Sequence, residues 1–421
     1  MDKIIIPSRL SGGVQIPPSK SAAHRALICA ALTNGTSRVT PYCTSKDIKA
    51  TAECLRKLGM SIVEDKDGYT VSSGVAKKGE TLDFSESGST ARFLMPVAAA
   101  LGADSTMIGS GRLPARPMEV LTNLMRQHGT EVSADYLPIK IKGKMRSGEF
   151  LLPGDISSQY ISGLMLSAPL TKGDTYIVPT TPVQSVGYID MTVDTMKHFG
   201  VTVEETDNGW KIDGDSRYSP ADVKIEGDWS QAAFFMAAAA IGGDIRISGL
   251  NFASSQGDMA ALDVFGAFGA DISIENDILH VRKNTLRGIT VNAADIPDMV
   301  PAIAATAAFA EGKTIIHSAE RLRIKESDRI KTTLDALNAM GVKTEEKQDG
   351  MVIYGGKVSG GDIDGANDHR IVMAFSVAAA FAEGESVIRG TEAINKSYPE
   401  FFKDFEKIGG KLDEVKYRDE N

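Results

Sequence analysis

The sequence predicts an α/β protein made of six βαβαββ units, divided between two lobes and packed around buried alanine-rich helices. Two helical patterns support this prediction, because each recurs six times at a spacing of about 70 residues along the 421-residue chain. An internal repeat of this length marks one supersecondary unit that is stacked on its neighbours. The fold class therefore follows from the repeat.

The first pattern is an amphipathic segment that ends in glycine. Apolar residues three or four positions apart, followed by glycine, are typical of a core-facing helix with a left-handed C-terminal cap. Successive closing glycines are separated by 68 to 72 residues, and they are Gly59, Gly129, Gly200, Gly269, Gly341 and Gly409.

The second pattern is an alanine-rich helix in the same phase of the repeat. Each copy opens on a small polar or acidic residue that can cap a helix, and each is followed by a turn and a short β-like run. One such helix alone would be an ordinary core helix, but six in register define the unit. The copies are SAAHRALICAAL, STARFLMPVAAAL, SSQYISGLMLSAPL, SQAAFFMAAAAI, DMVPAIAATAAF and HRIVMAFSVAAAF.

Composition limits the function classes. With 42% hydrophobic and 24% charged residues, the chain is an ordinary soluble globular protein with room for two or three domains. Its 46 basic against 55 acidic residues give a net charge of −9, which argues against nucleic acid or an anionic membrane as the main partner. Any basic site must therefore be local.

Several common sites and locations are also disfavoured. Cys29, Cys43 and Cys54 lack C-x-x-C spacing, which argues against a disulfide framework or a zinc site and favours a reducing cytoplasm. The start MDKIIIPSRL is too short for a signal segment, and no apolar run reaches the length of a membrane span. The sequence contains no HExxH, GxxxxGK[ST] or GxSxG motif. We expect a cytoplasmic protein that needs no metal and no cofactor.

The N-terminal ends of the alanine-rich helices carry the candidate functional residues. Unpaired backbone N–H groups and the helix dipole favour anions there. If three units form each lobe, these ends point at one cleft from both sides. The residues concerned are Lys20, Ser21, Arg25, Gly88, Ser89, Thr90, Arg92, Ser157, Ser158 and Gln159, then Asp228, Ser230, Asp298, Asp368, His369 and Arg370.

In the first half of the chain, three segments combine cations with small polar residues. PPSKSAAHR offers Lys20 and Arg25 to an anion, with Ser21 as a helix cap, although a solvated helix start fits equally well. Arg112 and Arg116 flank a proline ahead of a helix, which suits bidentate binding of phosphate or carboxylate. In GDISSQYISG, the residues 157–159 provide neutral phosphate donors or a simple cap.

In the second half, ERLRIKESDRI places four cations around Glu326 and Asp328. Such a run is usually a solvated face. Glu326 between cations could instead transfer a proton while the cations hold an anionic substrate. The segments NDHR and INKSYPEFF, the latter with Lys396, share the mixed polar and charged character of ERLRIKESDRI. Asp298 enters an otherwise apolar helix, where it is either an N-cap or a base.

Ten segments, in order along nearly the whole chain, resemble the 5-enolpyruvylshikimate-3-phosphate synthase family. They are PPSKSAAHR, ESGSTARF, GRLPARPMEVL, GDISSQYISGLML, QSVGYIDMT, EGDWSQAAFF, ADIPDM, RIKESDRI, GANDHRIVMAFS and INKSYPEFF.

The resemblance implies the two-lobed enolpyruvyl transferase fold, with three units in each lobe. It also implies transfer of the enolpyruvyl group of phosphoenolpyruvate to the 5-hydroxyl of shikimate-3-phosphate, with release of phosphate, on the route to chorismate and the aromatic amino acids. The family's N-terminal strand belongs to the second lobe. The expected lobes are therefore residues 1–18 with 227–421, and residues 19–226, with crossovers near 17–20 and 227. We expect a monomer whose partners are these two small molecules.

The resemblance also implies roles for individual residues. The expected shikimate-3-phosphate ligands are Lys20, Ser21, Arg25, Ser157, Ser158, Gln159, Ser185, Asp298 and Lys325. The expected phosphoenolpyruvate ligands are Lys20, Gly88, Arg116, Gln159, Arg329, Arg370 and Lys396. Glu326 is then the acid that protonates the methylene carbon of phosphoenolpyruvate, and Asp298, with Lys20 close by, is the base at the 5-hydroxyl. The cations would position two polyanions and offset their repulsion.

Two positions depart from the family pattern. Glu86 and Arg321 stand where the family often has asparagine, which leaves their roles and the response to the herbicide glyphosate open. One alternative function is that of the sister transferase that acts on UDP-N-acetylglucosamine, but its usual loop cysteine is replaced here by Gly111. The other is an inactive binding protein on the same fold. Intact Lys20, Asp298, Lys325, Glu326 and Arg370 argue against it.

Overall fold

The computed structural model describes residues 1–415, which form six four-stranded sheets and twelve α-helices. Contacts between Cα atoms divide the chain into two compact units. The N-unit is Pro18–Glu226, and the C-unit is Met1–Pro17 together with the chain from Gly227 onward.

The chain begins with two strands of the C-unit, β1 (Lys3–Ile6) and β2 (Ser11–Gln15). The N-unit follows with α1 (Lys20–Ala31), β3 (Thr36–Thr40), α2 (Lys46–Lys57), β4 (Ser61–Asp65), β5 (Gly68–Ser72), β6 (Thr81–Asp83), α3 (Gly88–Leu101), β7 (Thr106–Ile108), α4 (Glu119–Gln127), β8 (Glu131–Val132), β9 (Ile139–Lys142), β10 (Gly148–Leu152), α5 (Ser158–Ser167), β11 (Thr175–Pro179), α6 (Val186–His198), β12 (Val203–Thr206), β13 (Gly209–Ile212) and β14 (Val223–Lys224).

The remaining elements belong to the C-unit. They are α7 (Trp229–Gly242), β15 (Asp244–Ser248), α8 (Ala261–Phe268), β16 (Asp271–Glu275), β17 (Ile278–Arg282), β18 (Thr290–Asn292), α9 (Val300–Ala307), β19 (Lys313–His317), α10 (Arg329–Ala339), β20 (Lys343–Lys347), β21 (Gly350–Tyr354), β22 (Asp362–Asp364), α11 (His369–Ala379), β23 (Ser386–Arg389), α12 (Phe401–Lys407) and β24 (Lys411–Glu414). Short 3₁₀ turns span Leu113–Ala115, Ala168–Leu170, Gly257–Ala260, Pro297–Met299, Glu320–Ile324 and Thr391–Lys396.

All six sheets have the same topology. Numbered within a repeat, the spatial order of the strands is 1-2-4-3, with the first pair parallel and the other two pairs antiparallel. The N-unit sheets are β14-β3-β5-β4, β6-β7-β9-β8 and β10-β11-β13-β12. The C-unit sheets are β2-β15-β17-β16, β18-β19-β21-β20 and β22-β23-β1-β24. The predicted six-repeat α/β fold is confirmed.

Three of the sheets are completed by a strand that is distant in the sequence. Strand β14 pairs in parallel with β3, which closes the N-unit at its own last strand. Strand β2 pairs in parallel with β15, from Asp244 opposite Ser11 to Ser248 opposite Gln15. Strand β1 lies between β23 and β24 and is antiparallel to both. Residues 3–15 are therefore integral parts of C-unit sheets.

The alanine-rich helices form the core of each unit. Every residue of α7 from Trp229 to Ile241 is buried, and so is every residue of α9 and α11. Small side chains allow helices to approach closely. At Gly163 of α5, an added Cβ atom would overlap the backbone oxygen of Arg92 in α3. The sheets then cover the helices, and the charged side chains of these helices lie in their N-terminal halves.

The amphipathic helices have the predicted glycine caps, and five of the alanine-rich helices have N-terminal caps formed by polar side chains. All six predicted closing glycines have positive φ, between 77° and 104°, which confirms the left-handed caps. At the N-terminal ends, side chains of Ser19, Ser87, Ser157, Asp228 and Asp368 accept backbone N–H groups.

Two capping expectations were wrong. Ser21 does not cap α1, because Ser19 adopts the non-helical cap conformation and Ser21 is the second helical residue. Asp298 does not cap α9, because it lies inside the turn Pro297–Met299 and the helix begins at Val300 without a capping side chain. The Asp298 carboxylate is therefore available for tertiary contacts.

One prediction concerns the packing of α3 against α5. Gly163→Ala should lower the free energy of unfolding by about 1–3 kcal/mol, because the new methyl group forces two backbones apart. Gly266→Ala is the matched control: it lies in α8 with open space around the Cβ position, so it should be neutral or stabilise by up to about 1 kcal/mol. Thermal and urea unfolding of the two variants measure the difference, and equal stability would contradict the packing described.

Candidate active site

The side chains expected to bind substrate form two clusters, one in each unit. The N-unit cluster lies around the N-terminal ends of α1, α3 and α5, and consists of Lys20, Ser21, Arg25, Gly88, Arg92, Arg116, Ser157, Ser158, Gln159 and Ser185. The C-unit cluster lies around the N-terminal ends of α7, α9, α10 and α11, and consists of Asp298, Lys325, Glu326, Arg329, Asp368, Arg370 and Lys396.

Arg25 is a buried cation that is held by neutral acceptors. Its side chain is 2% exposed, and it donates to Thr192 Oγ1 and to the backbone oxygens of Ser21 and Tyr188, each at 2.7 Å. Burial lowers the pKa of Arg25 to about 10. Within residues 1–415, no acidic side chain forms an ion pair with it. A buried charge of this kind is suited to a ligand anion, because nothing else in its surroundings neutralises it.

Gly88 lies between two buried guanidinium groups. A Cβ atom at this position would be 2.8 Å from Nη1 of Arg92 and 2.8 Å from Nη1 of Arg116. Arg92 donates to Gln159 Oε1 at 2.7 Å, and Gln159 donates to Ser89 Oγ at 2.8 Å. The start of α3 is therefore joined to the start of α5, with two cations placed over the glycine.

The three predicted serines lie at the starts of α5 and α6: Ser157 and Ser185 end the loops that directly precede these helices, and Ser158 is the first residue of α5. Ser157 caps α5, and Ser158 and Ser185 are 4% and 1% exposed. The two loops are joined through Gly154, whose backbone donates to Thr181 Oγ1 and accepts from the backbone of Gln184. Ser185 has a left-handed φ of 59°, a conformation that costs of order 1 kcal/mol and recurs at functional sites.

Lys20 is the first residue of α1, and it is paired. Its Nζ atom lies 2.7 Å from Asp47 Oδ2 of α2, and both side chains are largely buried. Asp47 was missed by sequence reasoning, because it lies 27 residues away in a segment with no chemical motif. An acid beside Lys20 reduces the net charge available to an anion.

Asp298 is the acceptor at the centre of the C-unit cluster. Arg329 donates to its Oδ1 atom at 2.9 Å and Arg370 to its Oδ2 atom at 3.0 Å. Lys325 Nζ lies 3.8 Å from Oδ1. Burial alone would raise the pKa of Asp298, but the positive charges of Arg370, Lys325 and Arg329 hold that pKa well below its usual range. Asp298 is therefore ionised in this state.

Arg329 connects three carboxylates. It is 1% exposed, and it also donates to Asp368 Oδ2 at 2.8 Å and to Glu326 Oε2 at 2.6 Å. Burial opposes its charge, but the carboxylates of Asp368, Glu326 and Asp298 raise the pKa of Arg329 above its usual value. Arg329 is thus a permanent cation that fixes the relative positions of Glu326 and Asp298. Its pairing with Asp368 was not predicted, although Asp368 belongs to the NDHR segment.

Arg370 joins three helix starts. Besides Asp298 it contacts Ser230 Oγ at 3.1 Å, and Ser230 in turn donates to Asp228, the cap of α7. Lys396 is 6% exposed, and its Nζ atom donates to the backbone oxygen of Asn367 at 2.6 Å. The C-unit therefore brings Lys325, Arg329 and Arg370 together at Asp298, and Lys396 lies at the loop that precedes α11.

Lys325 has an unusual protonation equilibrium. Burial, reinforced by Arg321 and Arg329, lowers its pKa to about 8 despite the opposing effect of Asp298. Lys325 is therefore partly neutral at mildly alkaline pH. No group of three or more His, Cys, Asp or Glu side chains within residues 1–415 is arranged to hold a metal ion. Within the same residues, no helix is long and apolar enough to cross a membrane.

Comparison with known proteins supplies the decisive observation. The family model described as EPSP synthase (3-phosphoshikimate 1-carboxyvinyltransferase) matches residues 4–405. The chain belongs to this family. The resemblance noted from the sequence motifs is confirmed, and the EPSP synthase family is a family of transferases.

Relatives and solved structures agree with this membership. The proteins named 3-phosphoshikimate 1-carboxyvinyltransferase in Clostridium novyi and Clostridium acetobutylicum are 41% and 42% identical to this chain, and each alignment covers 97% of this chain and 98% of the relative. The structure of EPSP synthase from Acinetobacter baumannii superimposes with a TM-score of 0.83 at 29% identity, over 98% of this chain and all of that one. The enolpyruvyl transferase NikO from Streptomyces tendae, at 17% identity and a TM-score of 0.81, over 98% of each chain, shares the fold.

A pH prediction follows from the Lys325 environment. Because its folded-state pKa of about 8 is below the usual value for lysine, its protonated form is disfavoured by folding, and stability should rise as pH increases from about 8 to 10.5. Lys325→Met should remove up to roughly 3 kcal/mol of this rise. The measurement is the free energy of unfolding against pH, with the exposed Lys140→Met as control. Parallel pH curves for wild type and Lys325→Met would contradict the shift.

Proposed function

We propose that the chain transfers the enolpyruvyl group of phosphoenolpyruvate to the 5-hydroxyl of shikimate-3-phosphate and releases phosphate. The observation that carries the proposal is the match to relatives named 3-phosphoshikimate 1-carboxyvinyltransferase over 97% of this chain. The presence of every side chain that the resemblance implies for the site supports it. Buried free thiols at Cys29, Cys43 and Cys54 support a cytoplasmic location. Because one chain supplies both clusters, we also propose a monomer.

For shikimate-3-phosphate, we assign the phosphate to Ser157, Ser158 and Ser185. Hydroxyl groups at the N-terminal end of α5 add neutral donors to the favourable end of its helix dipole. We assign the carboxylate to Ser21 and Arg25, because Arg25 is buried without an acidic partner among the described residues. Gln159, Lys20, Asp298 and Lys325 complete the set.

For phosphoenolpyruvate, the assigned residues of the N-unit are Lys20, Gly88, Arg116 and Gln159, and those of the C-unit are Arg329, Arg370 and Lys396. Phosphoenolpyruvate carries a phosphate and a carboxylate, and it must approach a second phosphorylated acid. Cations fixed by buried contacts offset this repulsion without reorganising during the reaction.

The proposed reaction is an addition followed by an elimination. Glu326 gives a proton to the methylene carbon of phosphoenolpyruvate while the 5-hydroxyl oxygen attacks the adjacent carbon, and Asp298, with Lys20 nearby, receives the hydroxyl proton. The Glu326 carboxylate then takes a proton back from the methyl group of the tetrahedral intermediate as phosphate leaves, which restores the double bond, and the proton on Asp298 is released with the phosphate.

The electrostatics of the C-unit cluster explain how the state of Asp298 can change with ligand. In the ligand-free state, three cations hold the pKa of Asp298 low, which makes it a weak base. Negative charge from a ligand beside Arg370 and Lys325 would offset those cations and raise that pKa. The same negative charge favours the protonated form of a nearby carboxyl group, as required of Glu326.

The proposed function is tested by phosphate release from phosphoenolpyruvate. Purified protein should release phosphate when shikimate-3-phosphate is added, but not when UDP-N-acetylglucosamine is the acceptor. Release with UDP-N-acetylglucosamine alone would indicate the sister transferase. No release with either acceptor, together with intact binding of shikimate-3-phosphate, would indicate an inactive binding protein.

Glu326→Gln tests the proposed acid. The amide keeps the size of the side chain but has no acidic proton, so turnover should fall at least about 100-fold while shikimate-3-phosphate still binds. Steady-state kinetics and calorimetry measure the two quantities. Glu320→Gln, an exposed change in the preceding turn, is the matched control and should leave turnover unchanged. Wild-type turnover in Glu326→Gln would remove Glu326 from this role.

Gly88→Ala tests the assignment of the guanidinium pair. The new methyl group must displace Arg92 or Arg116, so KM for phosphoenolpyruvate should rise by about tenfold or more, with little change in KM for shikimate-3-phosphate. Gly266→Ala serves as the control with open space. If both KM values remained at the wild-type level, phosphoenolpyruvate would not bind at Gly88.

A further inference from the structure

We propose that His24 is a positioning residue that fixes the N-terminal end of α3 through Thr51, Thr90 and Ser87. The inference rests on the proposed function, in which Gly88 and Arg116 hold phosphoenolpyruvate. His24 touches neither substrate in that assignment. It acts through two side chains, Thr51 and Thr90, on Ser87, the residue that precedes Gly88.

A continuous series of buried hydrogen bonds connects His24 to Ser87 across three helices. His24 Nδ1 of α1 lies 2.8 Å from Thr51 Oγ1 of α2, and Thr51 Oγ1 lies 2.7 Å from Thr90 Oγ1 of α3. Thr90 then donates to Ser87 Oγ at 2.7 Å. His24, Thr51 and Thr90 are 0% exposed and Ser87 is 1% exposed, so water does not compete for these bonds.

The number of hydroxyl hydrogens fixes the direction of donation along this series of hydrogen bonds. Each threonine hydroxyl has a single hydrogen. Because Thr90 donates to Ser87, Thr51 must donate to Thr90, and His24 must donate to Thr51 from Nδ1. The imidazole is therefore the Nδ1–H tautomer, and its Nε2 atom is an acceptor. Nε2 is buried without a hydrogen-bond partner within residues 1–415.

The protonation state of His24 supports this arrangement. Burial lowers the pKa of His24 well below its usual value, and the adjacent charges of Lys20 and Arg25 lower it further. A neutral ring keeps the Nδ1 donor across the physiological pH range. Burying Nε2 without a hydrogen-bond partner is unfavourable and offsets part of what the Nδ1 bond to Thr51 contributes to stability.

The end point of the chain is the cap that precedes Gly88. Ser87 Oγ also accepts the backbone N–H of Thr90, which fixes the first turn of α3. A Cβ atom at Gly88 would lie only 2.8 Å from the guanidinium groups of Arg92 and Arg116. A small shift of this turn therefore changes the position of Gly88 relative to both guanidinium groups, and with it the space for a ligand. Thr90 also contacts the backbone oxygen of Asp47, whose carboxylate holds Lys20.

The experiment compares His24→Phe, which keeps an aromatic ring but removes Nδ1, with His24→Asn, whose amide nitrogen can replace the Nδ1 donor. Thr51→Val removes the second member of the chain with little change in volume. In His24→Phe and Thr51→Val, KM for phosphoenolpyruvate should rise about tenfold, while KM for shikimate-3-phosphate stays within about twofold of wild type. His24→Asn should restore the wild-type KM. The double variant His24→Phe/Thr51→Val should raise KM for phosphoenolpyruvate no more than either single variant does.

Two function-independent measurements accompany the kinetics. Amide hydrogen exchange at residues 88–90 should be faster in His24→Phe and Thr51→Val than in wild type and His24→Asn. Nitrogen-15 NMR of labelled histidine should report His24 as the Nδ1–H tautomer.

Several outcomes would overturn the inference. They are wild-type KM values in Thr51→Val, an equal rise in both KM values, or unchanged exchange at residues 88–90. If wild type itself showed no turnover, the proposed function would fail, and the exchange and tautomer measurements would still decide whether His24 positions α3.

Discussion

Close packing of the alanine-rich helices is the constraint on which the rest of the structure depends. These helices are buried along almost their whole length, and the charged side chains that they carry lie in their N-terminal halves. Contacts such as that between Gly163 and the backbone of Arg92 set where one helix start lies relative to the next. The same packing that stabilises each unit therefore collects unpaired N–H groups, cations and acids into one cluster per unit.

The two clusters solve the problem of buried charge in different ways. In the N-unit, Arg25 and Arg92 donate to hydroxyl, amide and backbone oxygens, which leaves their charge available to a ligand anion. In the C-unit, Arg329 is compensated by Asp298, Glu326 and Asp368. The N-unit is thus suited to holding anions, while the C-unit keeps carboxylates among cations, where ligand charge can change their protonation.

Local features of the fold could be predicted from the sequence, because they depend on single residues and short periodicities. Closing glycines such as Gly59 and Gly409 need a left-handed conformation that few other residues adopt, so both caps were identified before any contact was known. The spacing of the repeats could not predict that residues 3–15 pair with C-unit strands, because β1 pairs with β23 and β24 near the other end of the described chain. Only the family resemblance indicated where the N-terminal strand belongs.

The site residues also fall into those that a local motif predicts and those that only tertiary contacts reveal. Sequence motifs predicted Lys20, Arg25, Gly88 and Arg370 as site residues. They did not predict Asp47, which contacts Lys20, or Thr192, which contacts Arg25, because these two residues lie on other helices outside any motif. From the sequence, Asp298 looked more like a helix cap than a base, because the local pattern is the same for both and a lone acid at a helix start is most often a cap. Contacts with Arg329 and Arg370, which are 31 and 72 residues away, decided against the cap.

The central proposal is that Arg25, a buried cation of the N-unit with neutral partners, holds the carboxylate of shikimate-3-phosphate. A crystal structure of the protein with bound shikimate-3-phosphate tests this most directly. The phosphate should lie on Ser157, Ser158 and Ser185, with the carboxylate within hydrogen-bond distance of Arg25. A phosphate bound instead by Arg329 and Arg370, with Arg25 contacting only protein atoms, would contradict it.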